Sequence, residues 1–567
     1  MLATPTAFHD RVAELESSLA VERARVAELE KESELLRMSH ERLRLELELL
    51  KRRMFHAKAE RVDTAQLELE FAEKLRTLEE LAGTLGIPPT ETGTADGRPT
   101  QKRKPTGRRD LRTLPLEERR VEIEDPLFEQ LVKEGKAERR GHEESYKLAW
   151  QRGGIRRLVI ARVKYSTVGA DGESAIETAP LPKELLWRCV AAVSLLAHVI
   201  VAKHCDGLPL FRLERRFARD GVPLDRGTMS RWLEDIGATL GVTIVEAMRK
   251  EALRTAFCIA TDATGVAVQP EPNKDNQRQA CRRGHFFVQV ADKDAVFFEY
   301  TPKETSAAVG EMFKGFTGYV QADAKSVYDI LFRHLPDDEP PDDAIEGFRQ
   351  EVACWVHARR GLWEAAIAKS VIGREGLARI GRIFELDATW AGRPPDDIKR
   401  LREAHLRPHV HAFFAWVQLE YDKVRSQRGL ERKALGYVVR QREALERFFE
   451  DGRLLLDNNR SERELRVIAV GRRAWLFCGS DDHAVSAGHL FTLIASARLH
   501  QIEPEAYLRD ILRVLPYWPT ERYLELSPKY WAATRARLVL ADLAADVGDI
   551  TVPLPLPGSA EQQAATG

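Results

Sequence analysis

A chain of 567 residues with 44% hydrophobic content can bury several separate cores, which excludes a small single module. Its formal net charge of -1 excludes a strongly basic or acidic whole, so any attraction to a charged partner must come from local clusters. The six cysteines (Cys189, Cys205, Cys258, Cys281, Cys354 and Cys478) are scattered singly, which argues against a disulfide scaffold or a four-cysteine zinc module and fits a reducing cytosol.

Residues 11–54 read as one long helix. A 3-4 spacing runs through Val12, Leu15, Leu19, Glu22, Val26, Leu29, Ser33, Leu36, His40, Leu43, Leu47 and Leu50. Nine of these twelve positions are apolar, which makes the stripe a coiled-coil seam able to pair copies of the chain. A single amphipathic helix docked on its own protein is the alternative. A second helix over 67–85 completes a first region, 1–86. Residues 87–112 form a Gly/Thr/Pro-rich and then basic linker. Seven basic residues and one acid fall within 98–112, so this stretch is a local cationic cluster. Lys102, Arg103, Lys104, Arg108 and Arg109 would hold phosphates without sequence preference, making affinity fall steeply with salt. Otherwise they serve only as a solvated tether.

Residues 113–170 are mixed, contain no cysteine and end in a strand-like run over 157–164. Residues 171–250 read as a helical region. Its most apolar window, 190–202, is too short to span a bilayer and carries Ser194 and His198, so it reads as a buried helix. The N-terminus lacks the apolar core of a signal peptide, so a cytoplasmic protein with no membrane partner is expected. Within this region, 208–219 and 226–236 flank the turn Asp220-Gly221-Val222-Pro223. Phe217, Val222, Leu224, Met229 and Trp232 suit a small core between them. A helix-turn-helix here would turn Arg226, Thr228, Ser230 and Arg231 toward a major groove; an ordinary helical hairpin would not.

From Ala256 the period changes to that of strands, at 256–261, 285–291, 295–301 and 318–322, with a helix near 304–315. A fifth strand-like run at 352–355 leads into a helix. This order suggests the first part of a ribonuclease-H-like α/β core over 251–361, a helical insertion over 362–450, and the last part of the core over 451–500. Residues 501–567 add helices and a disordered tail. The expected fold class is therefore mixed and mainly α: an N-terminal coiled coil, a helical DNA-binding region, and a ribonuclease-H-like catalytic core with a helical insertion.

Three acids occupy telling places. Asp262 ends one apolar run, Asp323 ends another, and Glu462 lies where a helix begins. A carboxylate at the end of a buried strand is costly unless it is paired or binds a cation. Three such groups can hold two hard cations about 3.5–4 Å apart, the arrangement that cuts and joins phosphodiesters. Magnesium suits this donor set, with manganese as a substitute; no zinc is expected. Basic and aromatic side chains crowd the same segments. His357, Arg359 and Arg360 follow the fifth strand; Arg460, Arg463 and Arg466 flank Glu462; Arg472, Arg473 and Trp475 follow. Arginine forks clamp phosphates, and an aromatic can stack on an unpaired base. Cys354 and His357 show metal-ligand spacing but no second pair, so they read as core and phosphate contact. Asp457 reads as a helix N-cap.

The ordered strings Leu208-Pro-Leu-Phe-Arg-Leu-Glu-Arg-Arg-Phe-Ala-Arg219, Cys354-Trp-Val-His-Ala-Arg-Arg360, Asp451-Gly-Arg-Leu-Leu-Leu-Asp-Asn-Asn459, Glu462-Arg463 and Gly471-Arg-Arg-Ala-Trp-Leu-Phe477 resemble the transposases of the insertion sequence 66 family. The resemblance spans almost the whole chain. It implies a DDE transposase with a leucine zipper, a helical insertion, and Asp262, Asp323 and Glu462 as the catalytic, metal-binding acids. It further implies double-stranded DNA as partner, both element ends and target, and work at the prokaryotic nucleoid, with small proteins of the same element as possible accessories. Three departures stand out. Family members usually carry a cysteine zinc module, and 113–170 reads as a degenerate version without cysteines. Ala263 follows the first acid where the family usually has Glu. Ala324 and Lys325 follow the second, where it usually has Gly-Tyr. These departures support a second reading, a catalytically impaired or domesticated protein that binds DNA ends without cutting them.

Overall fold

Two sheets, each closed over by helices, organise residues 111–557, which this computed structural model describes apart from 115, 152, 169–173, 271–278 and 333–348, together with Arg25. The expected coiled-coil seam, the linker cluster Lys102, Arg103, Lys104, Arg108 and Arg109, and the tail beyond 557 lie outside the described residues.

The first sheet has four strands: β1 (Glu118–Ile123), β2 (Ala137–Gln151), β3 (Gly154–Val168) and β4 (Ser174–Thr178). Long β2 and β3 pair antiparallel from Ala137 opposite Thr167 to Gln151 opposite Gly154, and the reversal uses Gly153 at φ 101°. β1 runs parallel to β3, and β4 antiparallel to it. Helix α1 (Pro126–Lys133) is capped by Asp125, and its Phe128 ring stacks 5.2 Å from Tyr165. The Tyr165 hydroxyl is buried yet satisfied: it accepts from the Asp125 amide at 2.9 Å and donates to Glu129 Oε1 at 2.8 Å. The segment expected as a degenerate zinc-binding-like module contains a sheet held by two small apolar clusters, one with Leu158 and Ile160 and the other with Val163 and Tyr165 against Phe128.

Helices α2 (Val193–His204), α3 (Leu210–Arg219), α4 (Arg226–Leu240) and α5 (Glu246–Thr255) follow. The helical region starts later than the sequence pattern suggests, because β4 and an irregular stretch occupy 174–192. α2 is buried nearly all round, and no helix among the described residues is long and apolar enough to cross a membrane. Phe217, Val222, Leu224, Met229 and Trp232 are all buried between α3 and α4. Asp225 caps α4, accepting from the amides of Gly227 and Thr228.

The second sheet runs β7-β6-β5-β8-β9 from β5 (Cys258–Val268), β6 (Arg282–Ala291), β7 (Ala295–Thr301), β8 (Tyr319–Ala322) and β9 (Gln350–Ala353), with α6 (Ser306–Met312) between β7 and β8. β5, β6 and β7 are antiparallel; β8 and β9 are parallel to β5. Side chains alternate between faces with period two. Phe287, Phe297 and Val320 join one core with α4 and α6, while Ala260, Val266, Val288 and Phe298 join another with α11 (Asn459–Trp475) and α12 (Asp481–Leu499). Between β9 and α11 stand α7 (Trp355–Ile367), α8 (Val371–Ala388), α9 (Arg407–Val424) and α10 (Leu430–Arg440), around a core of their own that includes Trp355, Phe413, Phe414 and Phe448. Arg402 is 2% exposed but fully engaged: it donates to Asp387 at 2.7 Å and to the carbonyls of Phe448 and Leu454 at 3.0 and 2.9 Å. Its fork ties this helical block to the segment that enters α11.

α4 crosses α12 at Gly237, where an added Cβ would lie 2.4 Å from the Ser486 carbonyl oxygen. Backbone cannot yield as a side-chain tip can. Gly237→Ala is therefore expected to destabilise the protein by about 1–3 kcal/mol, read as a lower denaturant midpoint at unchanged slope.

Candidate active site

The sheet sets the first two acids side by side. β5 and β8 pair in parallel through Ala260 and Gln321, so Asp262 and Asp323 each stand two residues beyond the last pair. Equal spacing on neighbouring parallel strands puts both on the same face at the same level. That face is the one α11 covers, through Leu465 and Ile468. Asp262 does not end its strand, as its place after an apolar run suggests. β5 continues to Val268, because β6 supplies an antiparallel partner as far as Arg282.

Glu462 arrives through a buried joint. Asn458, 1% exposed, is the residue before α11, and its Nδ2 donates to the Thr261 carbonyl at 2.8 Å. Its backbone amide donates to Cys354 Sγ at 3.3 Å, and its carbonyl accepts from Ser461 Oγ at 2.9 Å. Glu462 follows in the first turn of α11, with its own amide on the Asn458 carbonyl. Asp457 is not the cap; it accepts from the Asn459 amide at 3.1 Å instead. Asn458 is a functional candidate that periodicity could not show, since its partner lies 197 residues earlier.

Burial pushes the Asp262 carboxyl up to about 6, and the charges of Asp323 and Glu462 push the same way, against the Ala263 amide and Lys325. The Ala263 amide reaches Asp262 Oδ1 at 2.7 Å. Lys325 Nζ lies 3.4 Å from Asp323 Oδ2 and 3.7 Å from Glu304 Oε1. Burial alone would lower the Lys325 ammonium, yet Asp323, Asp262 and Glu304 together raise it. His357, near the start of α7, is lowered by burial while Asp323 and Glu462 pull it upward, so its ring belongs to the same charged neighbourhood.

A raised carboxyl stabilises the fold only where it is protonated. Without bound cations, the contribution of Asp262 is present near its unfolded value of 3.8 and is lost as pH rises to about 6. Asp262→Asn is accordingly expected to be about 1–3 kcal/mol more stable than wild type at pH 7 in chelator, with the gain vanishing toward pH 4 in denaturant titrations.

The donor set suits a hard divalent cation. Asp323 Oδ1 is buried without a hydrogen-bond partner, Asp262 carries surplus negative potential, and all three groups offer oxygen. Among the described residues, no three His, Cys, Asp or Glu side chains cluster closely enough to hold one ion by themselves. Asp262 and Asp323 are the adjacent pair, and Glu462 stands in the first turn of α11.

The basic residues divide in two. Arg359 and Arg360 on α7 and Arg463, Arg466 and Arg473 on α11 are exposed. Arg472 is instead bound to β5, donating to Thr264 Oγ1 at 3.1 Å and to the Gly265 carbonyl, so it anchors the helix. Trp475 folds back over Gly471 and packs on the sheet; Phe477, 45% exposed, is the aromatic that faces outward. Of the hairpin residues, Arg226 is exposed, while Arg231 donates to Thr228 Oγ1 at 3.1 Å. Ser230 is turned inward, its hydroxyl 2.5 Å from His483 Nε2 on α12, because α4 buries that face against α12.

The sequence profile described as "Transposase IS66 family" matches residues 188–486. This chain belongs to the IS66 transposase family. Two further profiles match, "IS66 C-terminal element" over 492–528 and "Transposase C of IS166 homeodomain" over 42–123. Three proteins of Sinorhizobium fredii, all named as uncharacterized, are similar to this IS66 family member. Protein y4hP is 26% identical over 526 residues, covering 88% of this chain and 90% of its own. Protein y4qI is 26% identical over 381 residues, covering 66% and 68%, and y4jD 24% over 372 residues, covering 64% and 70%. The IS66 match spans both halves of the site, from α2 through the first turns of α12, and membership in a transposase family implies DNA as the partner.

Proposed function

We propose that this chain binds the double-stranded ends of an insertion sequence and catalyses strand cleavage and strand transfer there, with Asp262, Asp323 and Glu462 as the catalytic carboxylates of a ribonuclease-H-like core. The observation that carries the reading is geometric: Asp262 and Asp323 stand at the same level on neighbouring parallel strands, and the Asn458 bond to the Thr261 carbonyl joins β5 to the helix whose first turn holds Glu462. The order of the second sheet, three antiparallel strands continued by two parallel ones, supports the core assignment.

Asp262 and Asp323, completed by Glu462, would hold magnesium or manganese, which when bound supplies Lewis acidity toward the scissile phosphodiester and its leaving oxygen. The protein's own groups position the rest. The exposed Arg359, Arg360, Arg463, Arg466 and Arg473 offer guanidinium forks to the phosphates on either side. His357, with a buried Nδ1 that has no hydrogen-bond partner, would offer a polar atom from the first turn of α7. The basic linker and Arg226 would add affinity without base contacts. Pairing of copies through 11–54 would bring two ends together.

A second reading has a specific observation behind it: an ammonium already lies 3.4 Å from Asp323. In that reading the chain binds ends but no longer cuts. Incubating the protein with labelled element ends and magnesium or manganese decides between them. Nicked and joined products are expected; a band shift without any product supports the impaired protein, and neither product nor shift overturns both readings.

A further inference from the structure

The most unusual neighbour of the acids is a cation supplied by the chain itself. We propose that Lys325 is a tethered counter-ion that balances the site before a divalent cation enters, and that Glu304 is the carboxylate that retains its ammonium afterwards. This rests on the reading of Asp323 as a metal ligand.

The geometry supports a shared, movable ammonium. Lys325 Nζ stands 3.4 Å from Asp323 Oδ2 and 3.7 Å from Glu304 Oε1, so it straddles two carboxylates and is locked to neither. The turn that places it is tight: the Lys325 amide donates to the Asp323 carbonyl at 2.8 Å, which folds the lysine back over the acid. The Asp323 side chain is only 14% exposed and needs a balancing charge, whereas the lysine side chain is 44% exposed and can swing without disturbing the core. Lysine, a compact charge on a flexible stem, suits such a role better than arginine.

Glu304 comes from the loop between β7 and α6, a different element from any of the three acids. Its Oε1 is buried without a hydrogen-bond partner, and its Oε2 lies 3.7 Å from His285 Nε2. One oxygen is therefore free for the ammonium while the other faces the histidine. A divalent cation and an ammonium repel each other across one carboxylate, so entry at Asp323 requires Lys325 to move, and Glu304 is the acid it already touches.

The test is calorimetric titration of the full-length protein with Mn2+, independent of any DNA reaction. Lys325→Met is expected to tighten Mn2+ binding by about threefold to fivefold by removing the competitor, with Lys325→Gln as a second neutral variant. Glu304→Gln is expected to weaken binding severalfold when Lys325 is present and to have little effect in Lys325→Met, a double-mutant coupling that a general charge effect would not produce. Unchanged or weaker binding in both lysine variants overturns the proposal, as does a Glu304→Gln effect of equal size in both backgrounds. Asp323→Asn separates the two levels. If it removes the Mn2+ signal while the lysine variants behave like wild type, only this inference fails. If it leaves the signal intact, the metal-site reading fails with it.

Discussion

Asp262→Asn is expected to lower metal-dependent cleavage of element ends by at least 10²–10³-fold, on the order of 3–4 kcal/mol of transition-state stabilisation. The exchange keeps the shape of the side chain and removes its charge. Burial and, to a lesser degree, the charges of Asp323 and Glu462 hold the Asp262 carboxyl at about 6, so a divalent cation beside it would relieve an unfavourable charge. DNA affinity at matched salt should stay the same or tighten slightly, because one repulsive charge is gone while the exposed arginines remain. Glu462→Gln should behave alike, since Glu462 lies beyond the Asn458 joint and supports no strand. Single-turnover cleavage of a labelled end, alongside a band shift, reads both quantities. Cleavage within about tenfold of wild type in Asp262→Asn would remove this acid from the chemistry.

The opposite responses of stability and activity in that one variant are characteristic of a functional site. Under the proposed function, Asp262→Asn should fold more firmly without cations at neutral pH and yet fail to cut, because the buried charge that costs stability is the one assigned to the chemistry.

What the sequence disclosed follows from the range of its signals. Apolar alternation is local, so the runs at 285–291 and 295–301 fall within β6 and β7. The small core of Phe217, Val222, Leu224, Met229 and Trp232 was legible for the same reason: all five lie within one hairpin and all are buried. The neighbourhood of Asp262 and Asp323 was legible because each follows an apolar run, and those runs lie on the paired strands β5 and β8. The failures involve distant partners. Nothing near Ser230 indicates that its hydroxyl meets His483, 253 residues later. Arg472 resembles its exposed neighbour Arg473 until β5 is seen to accept from it. Glu304 gives no local sign at all; only the sheet order brings the end of β7 around to Lys325. Residues 113–170 read as a degenerate module without cysteines, and how they fold was not legible, because the pairing of β2 with β3 that buries their apolar side chains leaves no short motif.

The joint at Asn458 offers the other large effect. Asn458→Ala removes the Nδ2 bond to the Thr261 carbonyl, one residue from Asp262 in the chain. Because the donor is 1% exposed, the carbonyl left behind gains no water, and a loss of about 1–3 kcal/mol in stability is expected. The kinetic loss should be larger than that figure implies. The same bond fixes where α11 begins relative to β5, and Glu462 rides on its first turn. A displacement of about 1 Å in a catalytic group can cost roughly 10²-fold, so cleavage at saturating DNA should fall by that order while DNA affinity holds. A purely structural role for Asn458 predicts something else. Activity would then track the folded fraction and return to wild-type level at temperatures where the variant is fully folded. Measuring single-turnover cleavage at a temperature well below both melting transitions separates the two, and full recovery there would deny Asn458 a part in positioning Glu462.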